Sequence, residues 1–423
     1  MDADVIIVGG GLAGSATALQ LSRAGARVLI VEARSFPRDK PCGEGLLPHG
    51  ARRLAELGFP SLLEEACGQP FRGILYRAHG ATAAGDFADG ARGFGVRRRV
   101  LDARLHEAAG AAPGVSVLYD KAERVFHGSD NVEVTTARGR TLKARFLVGA
   151  DGPRSRVRHE LGLDGGAPRA GRYALRRHFA LAAGVPLPDR VEVTACRGFE
   201  LYLTPVSPGV VGLAALCERE TLRALEGRPE ERLGQLLARA PRALRRRLED
   251  ATPQGPALAC GPLRVRSRSV WAPRALLVGD AAGYVDAITG EGMSLALGTA
   301  ALASEALGEV IGERTAPAAS FRQYEKRRQA LFRDHAILTH GLVFLARRPA
   351  LARRAIARLG REPDLFSRLL AVNDGTKSLW SLGLLDLAKL AVGARAQVAV
   401  DDDEPDLASE SGKKRGLSRI ASA

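Results

Sequence analysis

The fold is decided by residues 4–32, which read DVIIVGGGLAGSATALQLSRAGARVLIVE. Residues 4–8 form an apolar, β-branched run that predicts a short buried strand. Residues 13–24 carry the apolar spacing of a helix, and residues 27–31 predict a second buried strand that closes on Glu32. The stretch therefore predicts one strand–helix–strand unit with parallel strands.

Between the first strand and the helix, Gly9, Gly11 and Gly14 fit the pattern G-x-G-x-x-G. Glycines at these positions let the backbone approach a pyrophosphate, and the helix N-terminus stabilises the phosphate charge. Glu32 lies where a carboxylate accepts hydrogen bonds from a ribose 2′-hydroxyl. This unit predicts dinucleotide binding, but by itself it does not separate FAD from NAD.

The 423 residues have an ordinary globular composition, with 46% hydrophobic and 26% charged residues, and the length suggests two or three lobes. No apolar run is long enough to predict a membrane-spanning helix. Asp2 and Asp4 stand where a signal peptide would carry positive charge. Five scattered cysteines predict neither a disulfide framework nor a zinc site, which favours a reducing cytoplasm: Cys42, Cys67, Cys196, Cys217 and Cys260.

The net charge of +15 would suit a nucleic-acid-binding protein. However, the arginines are spread along the chain and aromatic residues make up only 5% of it, too few for base stacking. We therefore expect a basic, solvated surface and no nucleic-acid partner, with attraction to an anionic membrane surface as a minor alternative.

Further parallel strands are predicted near residues 146 and 276, separated by antiparallel insertions. Residues 145–150 form one of these strands, and a separate antiparallel meander is predicted just before it, from four strands at 115–119, 122–126, 132–136 and 141–144. The expected division of the chain is a discontinuous nucleotide domain of residues 1–70, 95–165 and 262–330, a substrate-binding sheet domain of 71–94 and 166–261, a helical region of 331–400 and a disordered tail of 401–423.

Two further motifs each predict a strand that ends in an acid, which either accepts hydrogen bonds from a bound dinucleotide or caps the helix that follows. They are Phe146-Leu147-Val148-Gly149-Ala150-Asp151-Gly152 and Ala275-Leu276-Leu277-Val278-Gly279-Asp280. Gly290-Glu291-Gly292-Met293 then opens a helix whose amides and dipole can stabilise negative charge on a reduced flavin.

With these three motifs in order, the sequence resembles the FAD-dependent group that contains aromatic hydroxylases of the p-hydroxybenzoate hydroxylase type, geranylgeranyl reductases and flavin halogenases. The resemblance implies an α/β fold: a doubly wound Rossmann-type FAD-binding domain with an inserted antiparallel β-sheet substrate domain and C-terminal helices. It also implies FAD as cofactor and NADPH or NADH as reductant. The cofactor-binding residues that it implies are Gly9, Gly11, Gly14 and Glu32 at the adenosine diphosphate end, Arg98 (with Asp102), Asp151 for FAD and the pyridine nucleotide, Asp280 at the ribitol, and Gly290, Gly292 and Met293 near the flavin ring.

The third motif departs from many relatives, which have a proline after its second acid. This chain reads Asp286-Ala287-Ile288-Thr289. The stiffness of the backbone at this position is therefore left open, although Gly290-Glu291-Gly292 is intact.

The reaction is less determined than the fold. The W-x-W-x-I-P segment of the halogenases is absent, because Trp271 and Trp380 are far apart. Residues 39–45 (DKPCGEG) are similar to a loop of the prenyl reductases that is expected near the flavin, but residues 200–206 (ELYLTPV) resemble hydroxylases more than the second reductase signature. The leading expectation is a monooxygenase that uses NAD(P)H and molecular oxygen to hydroxylate or epoxidise an aromatic, quinone or polyketide-type lipophilic metabolite. A prenyl reductase, or a non-catalytic lipid-binding protein on the same fold, are the alternatives.

The sequence does not assign a catalytic residue. By expected location alone, candidates are Cys42, Glu44, His49, His178 and Tyr202. Cys42 is either a packed small residue or a functional thiol. The apolar segments 335–345 and 379–392, with flanking arginines, predict a cap on the nucleotide domain or a face for a lipophilic substrate. The substrate, the choice between NADH and NADPH, and the oligomeric state stay open.

Overall fold

The computed structural model describes residues 1–59, 61–65, 68–166, 171–311 and 318–383. The predicted tail of residues 401–423 and the last part of the predicted helical region lie outside these described residues. In chain order the strands are β1 Ala3–Val8, β2 Val28–Glu32, β3 Gly45–Leu46, β4 Gln69–Phe71, β5 Gly73–Ala78, β6 Ala81–Asp86, β7 Gly93–Gly95, β8 Val115–Tyr119, β9 Ala122–His127, β10 Val132–Thr136, β11 Thr141–Gly149, β12 Tyr173–Ala180, β13 Val191–Cys196, β14 Phe199–Ser207, β15 Val210–Cys217, β16 Thr252–Cys260, β17 Trp271–Ala272 and β18 Ala275–Leu277. The helices are α1 Leu12–Arg23, α2 Pro48–Glu56, α3 Leu62–Glu65, α4 Arg98–Gly110, α5 Arg156–Glu160, α6 Arg219–Arg223, α7 Pro229–Ala238, α8 Arg242–Arg247, α9 Gly292–Gly308, α10 Ala318–Ala346, α11 Pro349–Arg361 and α12 Pro363–Asn373.

The first sheet has the strand order β17-β18-β11-β1-β2-β8, and β18, β11, β1, β2 and β8 run parallel. Val5, Ile6 and Ile7 of β1 are fully buried, as expected for a central parallel strand covered on both faces. Helix α1 follows β1 directly and packs against α9 and α4. The predicted doubly wound α/β fold is confirmed. The glycine loop, Glu32, Asp151 and Asp280 lie at the carboxyl ends of β1, β2, β11 and β18, so they meet at one edge of the sheet.

Two details of the predicted meander are wrong. Residues 115–119 form β8, which pairs with β2 in parallel and does not join an antiparallel meander. Its side chains are mostly half-buried because it is the edge strand of the main sheet, and such partial burial gives the sequence a mixed pattern. The predicted strands 141–144 and 145–150 are one strand, β11, whose first half pairs with β10 and whose second half pairs with β1 and β18.

The second sheet has the order β16-β12-β15-β14-β13-β5-β6 and forms the inserted domain that the sequence predicts. Its pairs are antiparallel except for β13 with β5. The parallel pair arises because β5 and β6 come from an earlier segment of the chain and join the sheet at its end. Strand β16 was not anticipated, and its side chains are largely exposed or half-buried.

The C-terminal helices pack in two places. Helix α10 packs on α9 of the nucleotide domain, whereas α11 and α12 pack on β6 of the second sheet. Ala352, Ile356 and Phe366 are buried there in a cluster with Ala81 and Ala83. The cap predicted for the nucleotide domain therefore also covers the substrate sheet. Within the described residues, no helix combines the length and hydropathy that crossing a bilayer requires.

Candidate active site

The glycine loop between β1 and α1 is a tight turn with one open position. Gly9 has a φ of +102°, and a Cβ atom there would lie 2.5 Å from the Ala150 carbonyl oxygen. A Cβ atom on Gly14 would lie 1.8 Å from the Gly9 carbonyl oxygen. A Cβ atom on Gly11, in contrast, would meet no atom within 4 Å. Gly9 and Gly14 therefore build the turn, and Gly11 leaves room beside it for a ligand.

Helix α1 begins at this opening without a side-chain cap. Gly11 is its N-cap and provides no side-chain acceptor for the first amides. Such amides and the helix dipole form a ready site for a phosphate group. Gly11, Leu12 and Ala13 line the large cavity that runs along the edge of the first sheet.

Glu32 lies beside the same loop and is buried. Its Oε2 accepts a hydrogen bond from the Gly10 amide at 2.7 Å, and its Oε1 accepts one from the Arg34 amide at 3.0 Å. The Arg38 guanidinium lies 3.4 Å from both oxygens and also stacks over the Phe36 ring. The carboxylate is thus fixed next to the phosphate site, at the position predicted for an adenosine ribose.

Asp280 lies in the turn after β18 and lines the cavity together with Gly290, Gly292 and Met293. Its carboxylate forms a long ion pair with Lys40, at 3.7 Å. Helix α9, which starts at Gly292, also lacks a side-chain cap. The structure therefore brings the predicted ribitol acid and the predicted flavin-ring donors into one cavity.

Buried charges that the sequence did not reveal tie down the loop after Asp280. The Asp286 carboxylate accepts a hydrogen bond from the Ile288 amide at 3.0 Å and forms a buried bidentate pair with Arg172. Arg172 also donates to Glu200 at 3.0 Å. These contacts anchor the segment where many relatives have a proline, and the stiffness of its backbone stays open.

Asp151 occupies a different environment from Asp280. Its carboxylate accepts hydrogen bonds from the Ser155 hydroxyl at 2.5 Å and from the amides of Arg156 and Val157 at 2.6 and 3.1 Å. The side chain thus stabilises the start of α5. Burial raises the pKa of Asp151, although these hydrogen bonds oppose the shift. Its neighbours Ala150 and Gly152 line the cavity, and a contact of Asp151 itself with a nucleotide stays a prediction.

Arg98 and Cys42 meet at the wall of the cavity. Arg98 is buried and forms two 2.7 Å hydrogen bonds with the Asp102 carboxylate. Burial lowers the pKa of Arg98, but the Asp102 charge, together with the nearby Cys42 side chain, outweighs it and holds the pKa above its ordinary value. The Cys42 thiol accepts a hydrogen bond from the Glu44 amide at 3.4 Å. The thiol therefore lies near the buried Arg98–Asp102 pair and against an amide donor.

Glu44 and His178 form a buried pair next to this thiol. Glu44 has a φ of 61°, and its Oε2 lies 2.5 Å from Nε2 of His178. Nδ1 of His178 faces the guanidinium groups of Arg176, at 2.9 Å, and Arg97, at 3.3 Å. Because arginines only donate, Nδ1 accepts and Nε2 carries the proton that His178 donates to Glu44.

Arg176 links this pair to the loop that carries Cys42. It donates to Asp39 at 2.5 and 3.2 Å and to the Lys40 carbonyl oxygen at 3.0 Å. Asp39 and Lys40 belong to the loop after β2, whereas Arg176 belongs to β12 of the second sheet. The cavity is thus closed by an ion pair between the two sheets.

The other two candidates, Tyr202 and His49, form structural contacts. The Tyr202 hydroxyl lines the cavity but donates to Glu200 at 2.8 Å, and burial beside Glu200 raises the pKa of Tyr202 well above its ordinary value. His49 lies at the start of α2, and its side chain is not part of the cavity wall. Burial lowers the pKa of His49, and its Nε2 accepts a long hydrogen bond from Arg53 at 3.4 Å. Neither residue is placed as a free acid or base.

A family profile described as FAD binding domain matches residues 2–336 of the chain. The chain belongs to this FAD-binding family.

Relatives of this flavoprotein include reductases and a hydroxylase. It is 32% identical over 320 residues to the menaquinone reductase of Mycobacterium tuberculosis, covering 72% of this chain and 76% of the relative. It is 28% identical over 368 residues to digeranylgeranylglycerophospholipid reductase 1 of Methanopyrus kandleri (79% and 88% covered). It is 29% identical over 405 residues to the ubiquinone hydroxylase UbiL of Rhodospirillum rubrum (86% and 89% covered). A solved flavoprotein/dehydrogenase from Cytophaga hutchinsonii has the same fold, with a TM-score of 0.76, 21% identity, and 88% and 93% of the chains covered. The protein is therefore an FAD-dependent oxidoreductase, and the non-catalytic alternative is set aside.

The residues present fit FAD. The space above Gly11 and the uncapped amides of α1 suit the pyrophosphate, Glu32 suits the adenosine ribose, and Asp280 lies where hydroxyl groups of the ribitol would reach it. When bound, FAD would supply a hydride or activate oxygen. The residues that sequence reasoning missed are the buried charges Arg172, Arg176 and Glu200. A signal was available, since adjacent arginines in the middle of an otherwise apolar strand are rarely tolerated without buried partners.

Proposed function

We propose that this flavoprotein is a reductase that adds two hydrogens across carbon–carbon double bonds in the prenyl chain of a lipophilic quinone or lipid. The observation that carries the proposal is the Cys42 thiol in the cavity wall, which accepts a hydrogen bond from the Glu44 amide. The sequence alone favours a monooxygenase over a prenyl reductase, and this proposal places the reductase first.

Saturation of an alkene needs a hydride on one carbon and a proton on the other. The reduced cofactor would provide the hydride, and a side chain must provide the proton. The Cys42 thiol is suited to this role because it lies in the cavity wall and carries a transferable proton, while the Glu44 amide donates a hydrogen bond to its sulfur. Solvent protons then restore the thiol after each turnover.

Oxygen chemistry fits this arrangement less well. A thiol in the cavity wall is open to oxidation by activated oxygen. Ionising a phenol also requires a base in the cavity. None of the four predicted candidates is a free base: Tyr202 is bound to Glu200, His49 lies outside the cavity, and Glu44 and His178 are bound to each other.

The shape and polarity of the cavity also support a prenyl substrate. Towards the second sheet its wall is made of apolar and small side chains, such as Leu47, Ile74, Val191, Val193 and Ala214. Apolar walls with few polar groups bind hydrocarbon chains by desolvation. A reductase named for its digeranylgeranyl lipid and a menaquinone reductase are both among the relatives.

The test is a product analysis under anaerobic conditions. The purified protein is reduced chemically, mixed with menaquinone or a geranylgeranyl lipid, and the extracted lipid is analysed by mass spectrometry. We expect a product with two additional hydrogens, lost in Cys42→Ser and retained in Cys196→Ser. Cys196 is a matched control because it is half-buried in β13 and away from the cavity wall. A saturated product formed equally well by Cys42→Ser would remove the thiol from the mechanism.

A monooxygenase is the second candidate, because the ubiquinone hydroxylase matches the largest share of this chain among the relatives above. It would use NAD(P)H, take oxygen, and act on an aromatic or quinone ring. Under labelled oxygen its product would contain one labelled oxygen atom, and Cys42→Ser would keep most of the activity. Labelled product together with no saturated lipid would overturn the reductase proposal.

A further inference from the structure

The corner between α10 and α11 exposes an apolar segment. Residues 341–351 (GLVFLARRPAL), here called the corner, are all exposed or half-buried. Phe344 is 50% exposed and Leu351 is 39% exposed, although both are large apolar side chains. A cluster of this kind on a surface indicates an interaction site.

Two more side chains extend the exposed face along α10. Ile337 is 48% exposed and lies seven residues, or two turns, before Phe344 on the same side of the helix. Trp380 is 76% exposed. The turn that contains Trp380 is bound to α10. Asp334 of α10 accepts hydrogen bonds from the Ser378 hydroxyl at 3.1 Å and from the Leu379 amide at 2.8 Å. The face therefore presents an exposed tryptophan, a phenylalanine and two aliphatic side chains.

Arginines surround this apolar face. Arg333, Arg347 and Arg348 are all exposed, and the Arg348 guanidinium lies 3.7 Å from the centre of the Phe344 ring. Arg347 forms a 3.0 Å ion pair with Glu218, immediately before α6. Tryptophan at the headgroup level, shallow apolar side chains and adjacent arginines are the features of surfaces that bind anionic bilayers.

We propose that the corner, together with Ile337 and Trp380, docks on the surface of a bilayer that contains anionic phospholipids. Phe344, Leu351 and Trp380 enter the headgroup region, and Arg333, Arg347 and Arg348 pair with lipid phosphates. A second copy of the chain is a poorer occupant. A symmetric interface would bring two copies of this basic patch together, and their like charges would repel. The proposal concerns a surface outside the catalytic cavity and does not depend on which reaction occurs there.

The experiment is vesicle flotation of the full-length, FAD-loaded protein. Vesicles contain phosphatidylcholine alone or mixed with phosphatidylglycerol, and the flavin absorbance of each variant verifies that it is folded. We expect flotation with the anionic vesicles only and loss of that binding at high salt. Arg347→Gln combined with Arg348→Gln should weaken binding about 25-fold, since each basic residue near such a surface contributes roughly a fivefold factor.

Single substitutions distinguish binding through this site from non-specific hydrophobic binding to vesicles. Phe344→Ser should weaken binding by about tenfold. Phe126→Ser should leave it unchanged, since Phe126 is 64% exposed on the edge strand β9 of the first sheet. Absence of flotation with anionic vesicles, or equal losses in the Phe344 and Phe126 variants, would overturn the proposal. Self-association in the absence of lipid that disappears in Phe344→Ser would assign the face to a second copy instead.

Discussion

At the scale of single residues, Arg172 holds the loop on the flavin side of the cavity. It is buried and pairs with both Asp286 and Glu200. Replacing Arg172 with Met leaves two buried carboxylates without their cation, so we expect the free energy of unfolding to fall by about 3–5 kcal/mol. Denaturant unfolding measures this loss, and flavin content should fall with it. Arg327→Met is the control, because its pair with Glu305 is exposed and we expect a change below about 1 kcal/mol. Similar effects of the two substitutions would contradict the role given to Arg172.

The glycine loop gives a second prediction at this scale. A Cβ atom on Gly11 meets nothing in the protein, whereas one on Gly14 overlaps the Gly9 carbonyl oxygen. Gly11→Ala should therefore fold normally and lose most of its FAD, because the methyl group occupies the space for the pyrophosphate. Gly14→Ala should lower the free energy of unfolding by about 1–3 kcal/mol. The ratio of flavin to protein absorbance and a denaturant midpoint measure both. Full FAD occupancy in Gly11→Ala would show that the phosphate lies elsewhere.

These two cases show which residues a sequence can reveal. The glycines were predictable because their partners are a few positions away and the spacing itself carries the signal. The partners of Arg172 are 28 and 114 residues away, and only the folded sheets bring them together. For Asp151 the sequence reveals part of the environment. Its position after β11 was predicted, but the sequence could not show that the helix start at Ser155 to Val157 occupies its carboxylate.

At the scale of elements, α12 docks its last turn on the loop that opens α9. The Asn373 side chain donates to the Thr289 carbonyl oxygen at 3.3 Å and to Glu291 at 3.4 Å. The Asp374 carboxylate accepts a hydrogen bond from the His49 amide at 2.7 Å. Burial raises the pKa of Asp374 to about 6, although this hydrogen bond and Arg52 oppose the shift. Burial, and to a lesser degree the Asp374 charge, also raises the pKa of Glu291 well above its ordinary value.

The raised pKa of Asp374 predicts a pH dependence of stability. Between its ordinary pKa near 4 and the folded value of about 6, the folded protein binds more protons than the unfolded chain. Stability should therefore fall as the pH rises through this window. Asp374→Asn cannot ionise and keeps the acceptor for the His49 amide, so its stability should fall less over the same window. Denaturant midpoints from pH 4 to 7 measure the difference.

Asp364→Asn is the control for this experiment, because Asp364 lies exposed in the first turn of the same helix. Its curve should run parallel to that of the wild type. If the Asp374→Asn curve is also parallel, the burial of this carboxylate does not govern the docking of α12.

At the scale of the whole molecule, the cavity lies between two sheets. Sequence patterns predict each sheet, but they do not predict the contacts between them. The strand periodicity predicted both sheets, since alternation and apolar runs are local properties of the chain. The contact between them depends on Arg176 of β12, which reaches across to Asp39 and Lys40 in the loop after β2. No local pattern predicts such a contact, because its two sides are 137 residues apart. The same loop carries Cys42, so the position of the thiol depends on how the sheets are held together.

This arrangement predicts that loosening the ion pair mobilises the thiol loop without unfolding either sheet. Asp39→Asn removes the charge that faces Arg176 but keeps a side chain of the same shape. A partly exposed ion pair of this kind contributes about 1 kcal/mol, so amide hydrogen exchange in residues 39–46 should accelerate by roughly fivefold. Exchange in β1 and β14 should stay unchanged, and Asp89→Asn, on an exposed turn, should change neither region. Because the thiol is the proposed proton donor, kcat for lipid reduction should fall in Asp39→Asn more than FAD occupancy does. Uniformly faster exchange in all strands would instead mean that the pair stabilises the fold as a whole and does not position the loop.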